Sequence, residues 1–211
     1  MSPETGVAEG PDGKPRCWWC LGSEDYLDYH DNEWGRPLHG ESELFERLTL
    51  EAFQSGLSWL TILRKRENFR RAFDGFDIEK VATYGAKNVE RLLADAGIVR
   101  NRTKIEAAIT NAKAARALHA GGETLDELIW GFAPDPDSRP IPKTTADLEP
   151  TTPESRALAK ELKRRGFLFV GPTTAYATME AAGVVNDHLD GCFLRRETQT
   201  VTDDQRRKRD R

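Results

Sequence analysis

The strongest constraint on this chain's fold is its period. Apolar residues recur at three- and four-residue spacing almost throughout, and alternating strand patterns are nearly absent. A chain written this way packs helix on helix, so the expected class is all-α. Ser42 is placed to cap a helix bearing Leu44, Phe45, Leu48, Ala52 and Phe53. After a turn at Gly56-Leu57-Ser58, Ser58 caps a second helix running towards Phe73. Asp77 caps a short helix. Another carries Val89, Leu92 and Leu93 and stops at Gly97, read as a C′ glycine. Residues 103–119 form a long helix, and Thr124 to Trp130 a short one. Pro153 and Gly166 bracket a further helix, and Pro172 and Gly183 the last. Residues 133–150 hold five of the eleven prolines and read as a loop.

The folded body is expected over residues 16–195. Residues 1–15, polar and without apolar periodicity, read as a disordered leader. Residues 196–211 read as a solvated tail. At 211 residues one domain can bury a core without disulfides. No run of 18 apolar residues offers a membrane span, and the first fifteen residues lack a secretory core, so the cytoplasm is the expectation. Lys and Arg total 31 against 35 Asp and Glu, a net charge of −4. That excludes nucleic-acid binding by bulk charge and leaves room for a local basic face. Three cysteines are an odd number, so they read as free thiols or metal ligands.

Metal-type residues lie at both ends of the body. Cys17, Cys20 and His30 are near its start, and His188 and Cys192, four apart, are near its end. Two from each end would make a tetrahedral nitrogen and sulfur site that suits zinc and ties the ends together. Buried hydrophobic cysteines and satisfied core histidines account for the same residues equally well. Cys17-x-x-Cys20 is itself a zinc half-site and competes with a Cys17/His30 pairing. Glu51 falls on the apolar face of its helix, where a carboxylate is costly unless partnered. Four of the five tryptophans fall within residues 18–59, beside Tyr26 and Tyr29. Flat walls with an acceptor suit a heteroaromatic ligand such as a nucleobase. The segment VERLLADAGIVRNRTKIEAAITNA reads as helix, turn, helix over roughly 88–118. Its turn amides can bind a phosphate, and Arg100, Arg102 and Lys104 flank it. Arg64-Lys65-Arg66 with Arg70 and Arg71, and Lys163-Arg164-Arg165, are further basic runs.

These stretches together resemble the bacterial DNA-3-methyladenine glycosylase I family. The matching segments are CWW near 17, YHDNEWG at 29–35, LEAFQSGLSWLTILRKRENFR at 50–70, DAGIVRNRTKI at 95–105, KRRGFLFVGPTTAYATMEAAG at 163–183 and VVNDHLDGC at 184–192. The resemblance implies a helix-hairpin-helix DNA glycosylase fold and one structural zinc per chain on Cys17, His30, His188 and Cys192. It implies a base pocket in which Glu51 and Tyr29 bond the lesion, Trp59 stacks on it, and Tyr26 and Trp19 line the walls. Glu51 is the candidate catalytic residue. Leu57 would wedge into the duplex, and the hairpin around Gly97 would hold a phosphate, with Arg100, Arg102 and Lys104 as DNA contacts. The implied activity is a monofunctional hydrolase of the N-glycosidic bond of N3-methyladenine in double-stranded alkylated DNA, acting as a monomer and leaving an abasic site. The alternative is a zinc-stapled helix-hairpin-helix module that binds DNA without chemistry. Many helix-hairpin-helix glycosylases carry an Asp shortly after the hairpin. Glu123, Asp126 and Glu127 occupy that stretch here and read as surface charges.

Overall fold

The computed structural model describes residues 6–135 and 138–198, and the helical class holds across them. In chain order the helices are α1 (Glu24–Asn32), α2 (Glu41–Gln54), α3 (Trp59–Ala72), α4 (Ile78–Val81), α5 (Ala86–Ala94), α6 (Arg102–Ala120), α7 (Leu125–Trp130), α8 (Pro153–Arg164) and α9 (Pro172–Ala181). Helix α2 is the hub. Residues Leu44, Phe45 and Arg47 to Phe53 are all buried, so it is enclosed rather than half-covered. It packs against α3, α4, α6, α7 and α9. Phe53, Phe69, Phe73 and Phe76 form a ladder of aromatic contacts across the α2 and α3 layer. Long α6 supplies Ile105, Ala108, Ala112 and Ala115 to the same core, its small residues letting neighbours approach closely. No helix among the described residues is long and apolar enough to cross a membrane.

Caps explain most boundaries. Ser58, Asp77, Asn101, Thr124 and Thr152 each accept a backbone N–H of the first turn that follows. Pro153 and Pro172 sit at the start of α8 and α9, and Gly166 and Gly183 follow their ends with φ of 92° and 67°. Two expected boundaries differ. Helix α2 starts one residue before Ser42, with Gly40 (φ 97°) at the N-cap. Helix α5 ends at Ala94, stopped by the extended ψ of its C-cap Asp95, so Gly97 lies in the turn and is no C′ residue. That glycine is needed for closeness instead: a Cβ would meet Asn68 of α3 at 3.1 Å.

The expected leader is corrected over residues 6–15. Strand β1 (Val7–Glu9) pairs antiparallel with β2 (Pro15–Cys17), Val7 opposite Cys17. Val7 is buried with Cys17, Leu189, Cys192 and Leu194. Arg16 is buried and reaches both Asp12 at 2.9 Å and Asp31 at 2.7 Å. At the other end the body extends past Arg195, because Thr198 is buried and bonds Asn186. The rest of the expected tail lies outside the described residues.

Candidate active site and metal centre

Helices α1, α2, α3 and α9 converge around a cavity of about 330 Å³. Trp19, Tyr26, Tyr29, Trp34 and Trp59 wall it, and Glu51, Gln54, Leu148, Ala177 and Glu180 complete the lining. All five expected base-pocket residues therefore come together. Tyr29 and Trp59 pack at 5.4 Å between ring centres. The Tyr26 hydroxyl accepts the Leu60 N–H at 3.0 Å, which fixes the first turn of α3 beside Trp59. The indole N–H of Trp59 is buried and has no acceptor among the described residues. It is a donor that a bound molecule can satisfy.

The electrostatics of the cavity turn on Glu51 and Arg47, one turn apart on α2. Arg47 is buried, donates to the Tyr29 hydroxyl at 3.0 Å, and lies over the rings of Tyr29 and Trp59. Behind it Glu33 of the α1 boundary faces Arg47 and pairs with Arg66 of α3 at 2.7 Å. Burial pushes the Glu51 carboxyl up to about 7, partly opposed by the Arg47 charge. Burial likewise raises the Tyr29 hydroxyl, so it stays a neutral donor or acceptor.

Sequence reasoning missed a second carboxyl, Glu180 on α9. Burial raises it well above the carboxylate range, and the like charges of Asp187 and Glu51 add to the effect. Asp187 is held by Arg139 at 3.0 Å and by the Tyr176 hydroxyl. The signal was the same as for Glu51, a charge among apolar neighbours, here Tyr176, Met179 and Ala181. Gln54 and Leu148 were missed too. Leu148 comes from the proline-rich loop, whose path no local pattern indicates.

One layer behind the aromatic wall sit four buried residues, Cys17, His30, His188 and Cys192, with ligand atoms all within 4.8 Å of one another. Cys192 Sγ lies 3.5 Å from His30 Nε2 and 3.6 Å from His188 Nδ1. A tetrahedral zinc with ordinary bond lengths spaces sulfur and nitrogen ligands at about 3.5 Å. The outer contacts fit as well. His30 Nδ1 faces Asp31 at 2.8 Å, and His188 Nε2 faces the Trp34 carbonyl at 3.2 Å, leaving the other ring nitrogens for an ion. Cys20 is buried but lies outside the four. Trp34 joins the two sites: it lines the cavity and packs edge-on against His188 at 4.8 Å.

The expected DNA contacts divide. Leu57 stands 42% exposed at the α2–α3 turn. Around the hairpin, the amides of Val99 and Arg100 make no backbone hydrogen bond among the described residues, and Arg100 is exposed. Arg102 is exposed but pairs with Glu90 at 2.7 Å. Lys104 is a correction. It turns inward, buried, and donates to the carbonyls of Phe53 and Ser55, so it presents no charge to solvent. The other basic runs are largely paired: Arg64 with Asp25, Arg70 with Glu46, and Arg164 and Arg165 with Glu161. Glu123 pairs with Arg165, Asp126 with His39, and Glu127 closes the cap of α7, all structural tasks.

Residues 19–196 match the family model described as methyladenine glycosylase. The chain is 44% identical over 180 residues to the DNA-3-methyladenine glycosylase of Haemophilus influenzae, covering 84% of this chain and 96% of that one. It is 46% identical over 177 residues to DNA-3-methyladenine glycosylase 1 of Escherichia coli, covering 84% and 95%. Among solved structures it superposes on a 3-methyladenine DNA glycosylase I with a TM-score of 0.79 at 46% identity, covering 84% of this chain and 98% of that one. A variant of such an enzyme in complex with 3-methyladenine matches with a TM-score of 0.77 at 32% identity, over 92% and 98%. The chain thus belongs to the methyladenine glycosylase family.

Proposed function

We propose that this protein removes N3-methyladenine from double-stranded DNA by hydrolysing its N-glycosidic bond, leaving an abasic site. The observation that carries the reading is a buried carboxyl, Glu51, inside an aromatic-walled cavity. The exposed Leu57 follows on the same α2–α3 segment. A module that only binds DNA has no use for such a lined cavity. An extruded base stacks against Trp59, and Tyr29 and Glu51 meet its polar edge, with Tyr26 and Trp19 closing the sides. Leu57 fills the gap left in the duplex, and the hairpin amides with Arg100 hold a backbone phosphate.

Methylation at N3 makes the purine a cation, so departure of the base needs no added proton. The bond to the sugar breaks with its electron pair moving to the base, which leaves neutral. Water then adds to the sugar carbon and loses a proton. The ionised Glu51 carboxylate and the aromatic faces favour a cationic ring over normal adenine. Cys17, His30, His188 and Cys192 are fitted to hold one zinc. Held by four protein ligands, it would supply a fixed tie and leave no open coordination position. The reading includes a monomer working in a reducing cytoplasm, in keeping with three buried, unpaired cysteines.

The test is release of free base from alkylated duplex DNA by the purified protein. Release of 3-methyladenine with the strand left intact is expected. Tight binding to the duplex with no base released leaves the binding-module alternative standing.

A further inference from the structure

We propose that Lys104 is a positioning residue that mounts the Leu57 turn on the helix-hairpin-helix, so that the phosphate-gripping and gap-filling parts of the DNA face move as one body. The inference rests on the reading of Leu57 as the wedge. Helix α2 ends at Gln54, and the carbonyls of a helix's last turn have no partner within the helix. Lys104 reaches across from the first turn of α6 and donates to Phe53 O at 2.9 Å and Ser55 O at 2.5 Å. Its own first turn is fixed by Asn101, whose side chain accepts the Lys104 N–H at 3.1 Å. An ammonium at the negative end of a helix is favourable, and burying one without such bonds is costly.

The turn is held from its other flank too. Helix α3 begins at Trp59, just past the turn. Its Lys65 donates to the hairpin carbonyls of Ala96 at 3.0 Å and Gly97 at 3.2 Å, and its Asn68 to Gly97 at 3.3 Å. Residues Ser55 to Ser58 are all exposed, and Gly56 has a φ of 81° with open space where a Cβ would stand. Such a turn has little packing of its own, so its anchors set its direction. Glu51 and Gln54 line the cavity within one turn of the carbonyls that Lys104 holds. The lysine therefore grips the chain between the base pocket and the wedge.

A double-mutant cycle of Lys104→Met and Leu57→Ala tests this. The probes are a duplex carrying a tetrahydrofuran abasic analogue, titrated at several salt concentrations, and free 3-methyladenine. Each single variant is expected to weaken abasic-duplex binding about fivefold or more, with the double variant no weaker than the worse single. Free-base affinity and the salt slope are expected to stay as in the wild type, and Lys104→Arg to recover most of the loss. Losses that multiply, with a salt slope shallower by about one, make Lys104 a phosphate contact and overturn the proposal. An equal loss of free-base affinity overturns it by making Lys104 a support of the pocket. If Leu57→Ala alone leaves duplex affinity unchanged, the wedge reading falls and takes this proposal with it. Multiplying losses beside an intact Leu57 effect remove only the role of Lys104. Should Lys104→Met not fold, Lys104→Gln takes its place in the same cycle, and its loss must likewise not multiply with Leu57→Ala.

Discussion

A carboxyl buried on α2 works against folding, and Glu51 shows by how much. Its ordinary value of 4.5 is raised to about 7 by burial. Between those values the folded chain keeps a proton that the unfolded chain has lost. Stability conferred at low pH is therefore lost as pH rises through about 7. At roughly 1.4 kcal/mol per pKa unit the penalty is on the order of 3 kcal/mol above that point. Glu51→Gln is expected to raise the thermal midpoint of the ligand-free protein at pH 8 and not at pH 4.5. The same variant is expected to slow single-turnover excision of 3-methyladenine at least about tenfold and to blunt discrimination against adenine, the loss of a charge-assisted contact. An equal change of midpoint at both pH values would show that the carboxyl does not sit where burial acts on it. Glu51 was legible because it interrupts the Leu44 and Leu48 face. Glu180 sits on a helix nearly as buried, yet no single face of α9 is polar enough to make it stand out. Lys104 was legible as a charge beside the hairpin, but its direction depends on carbonyls some fifty residues earlier in the chain.

At the scale of elements, the four-residue Cys and His cluster and the aromatic cavity share a wall. His30 and His188 contact the ring of Trp34, and Trp19 packs on His30 at 5.4 Å and on Trp34 at 5.1 Å. If these four residues hold the proposed zinc, its removal is expected to free the aromatic residues in front of it. Chelation is expected to cost about 3 kcal/mol, some 6–12 °C in midpoint for a chain of this size. It is also expected to weaken free 3-methyladenine binding. Metal analysis should find about one zinc per chain, lost in Cys17→Ser and kept in Cys20→Ser. The reverse pattern would move the ligand to Cys20. Helix α9 has its own critical point at Gly183, where an added Cβ would lie 2.5 Å from the Arg36 backbone and φ is 67°. Gly183→Ala is expected to destabilise by roughly 2 kcal/mol or more, read by urea unfolding, since strain and backbone overlap add. Helices and caps could be read from period and residue type. The β1–β2 pair could not, because three-residue strands are too short to show alternation. What holds them, Val7 against Leu189, joins opposite ends of the sequence.

The molecule as a whole is acidic and keeps most of its basic runs in ion pairs. On the proposed reading its grip on DNA rests on shape, on a few amides and on Arg100 at the hairpin, not on a positive field. Duplex affinity is expected to fall with salt at a slope shallower than about −4, while free-base affinity stays flat. A steeper slope would show that the paired arginines let go of their carboxylates to bind phosphate. The four-residue Cys and His group joins two early residues to two late ones, with 162 positions between His30 and Cys192. At about 5–20 residues per second a ribosome spends roughly 8 to 32 s between making the first pair of ligands and the last. For that interval the nascent chain carries half of the Cys and His cluster and the aromatic residues that will wall the cavity, with nothing behind them. The cavity of the proposed active site thus gains its backing only once Cys192 has been made, and a chain cut short before that residue is expected to keep Leu57 and the α5–α6 turn but to lack one of the four residues behind the aromatic wall.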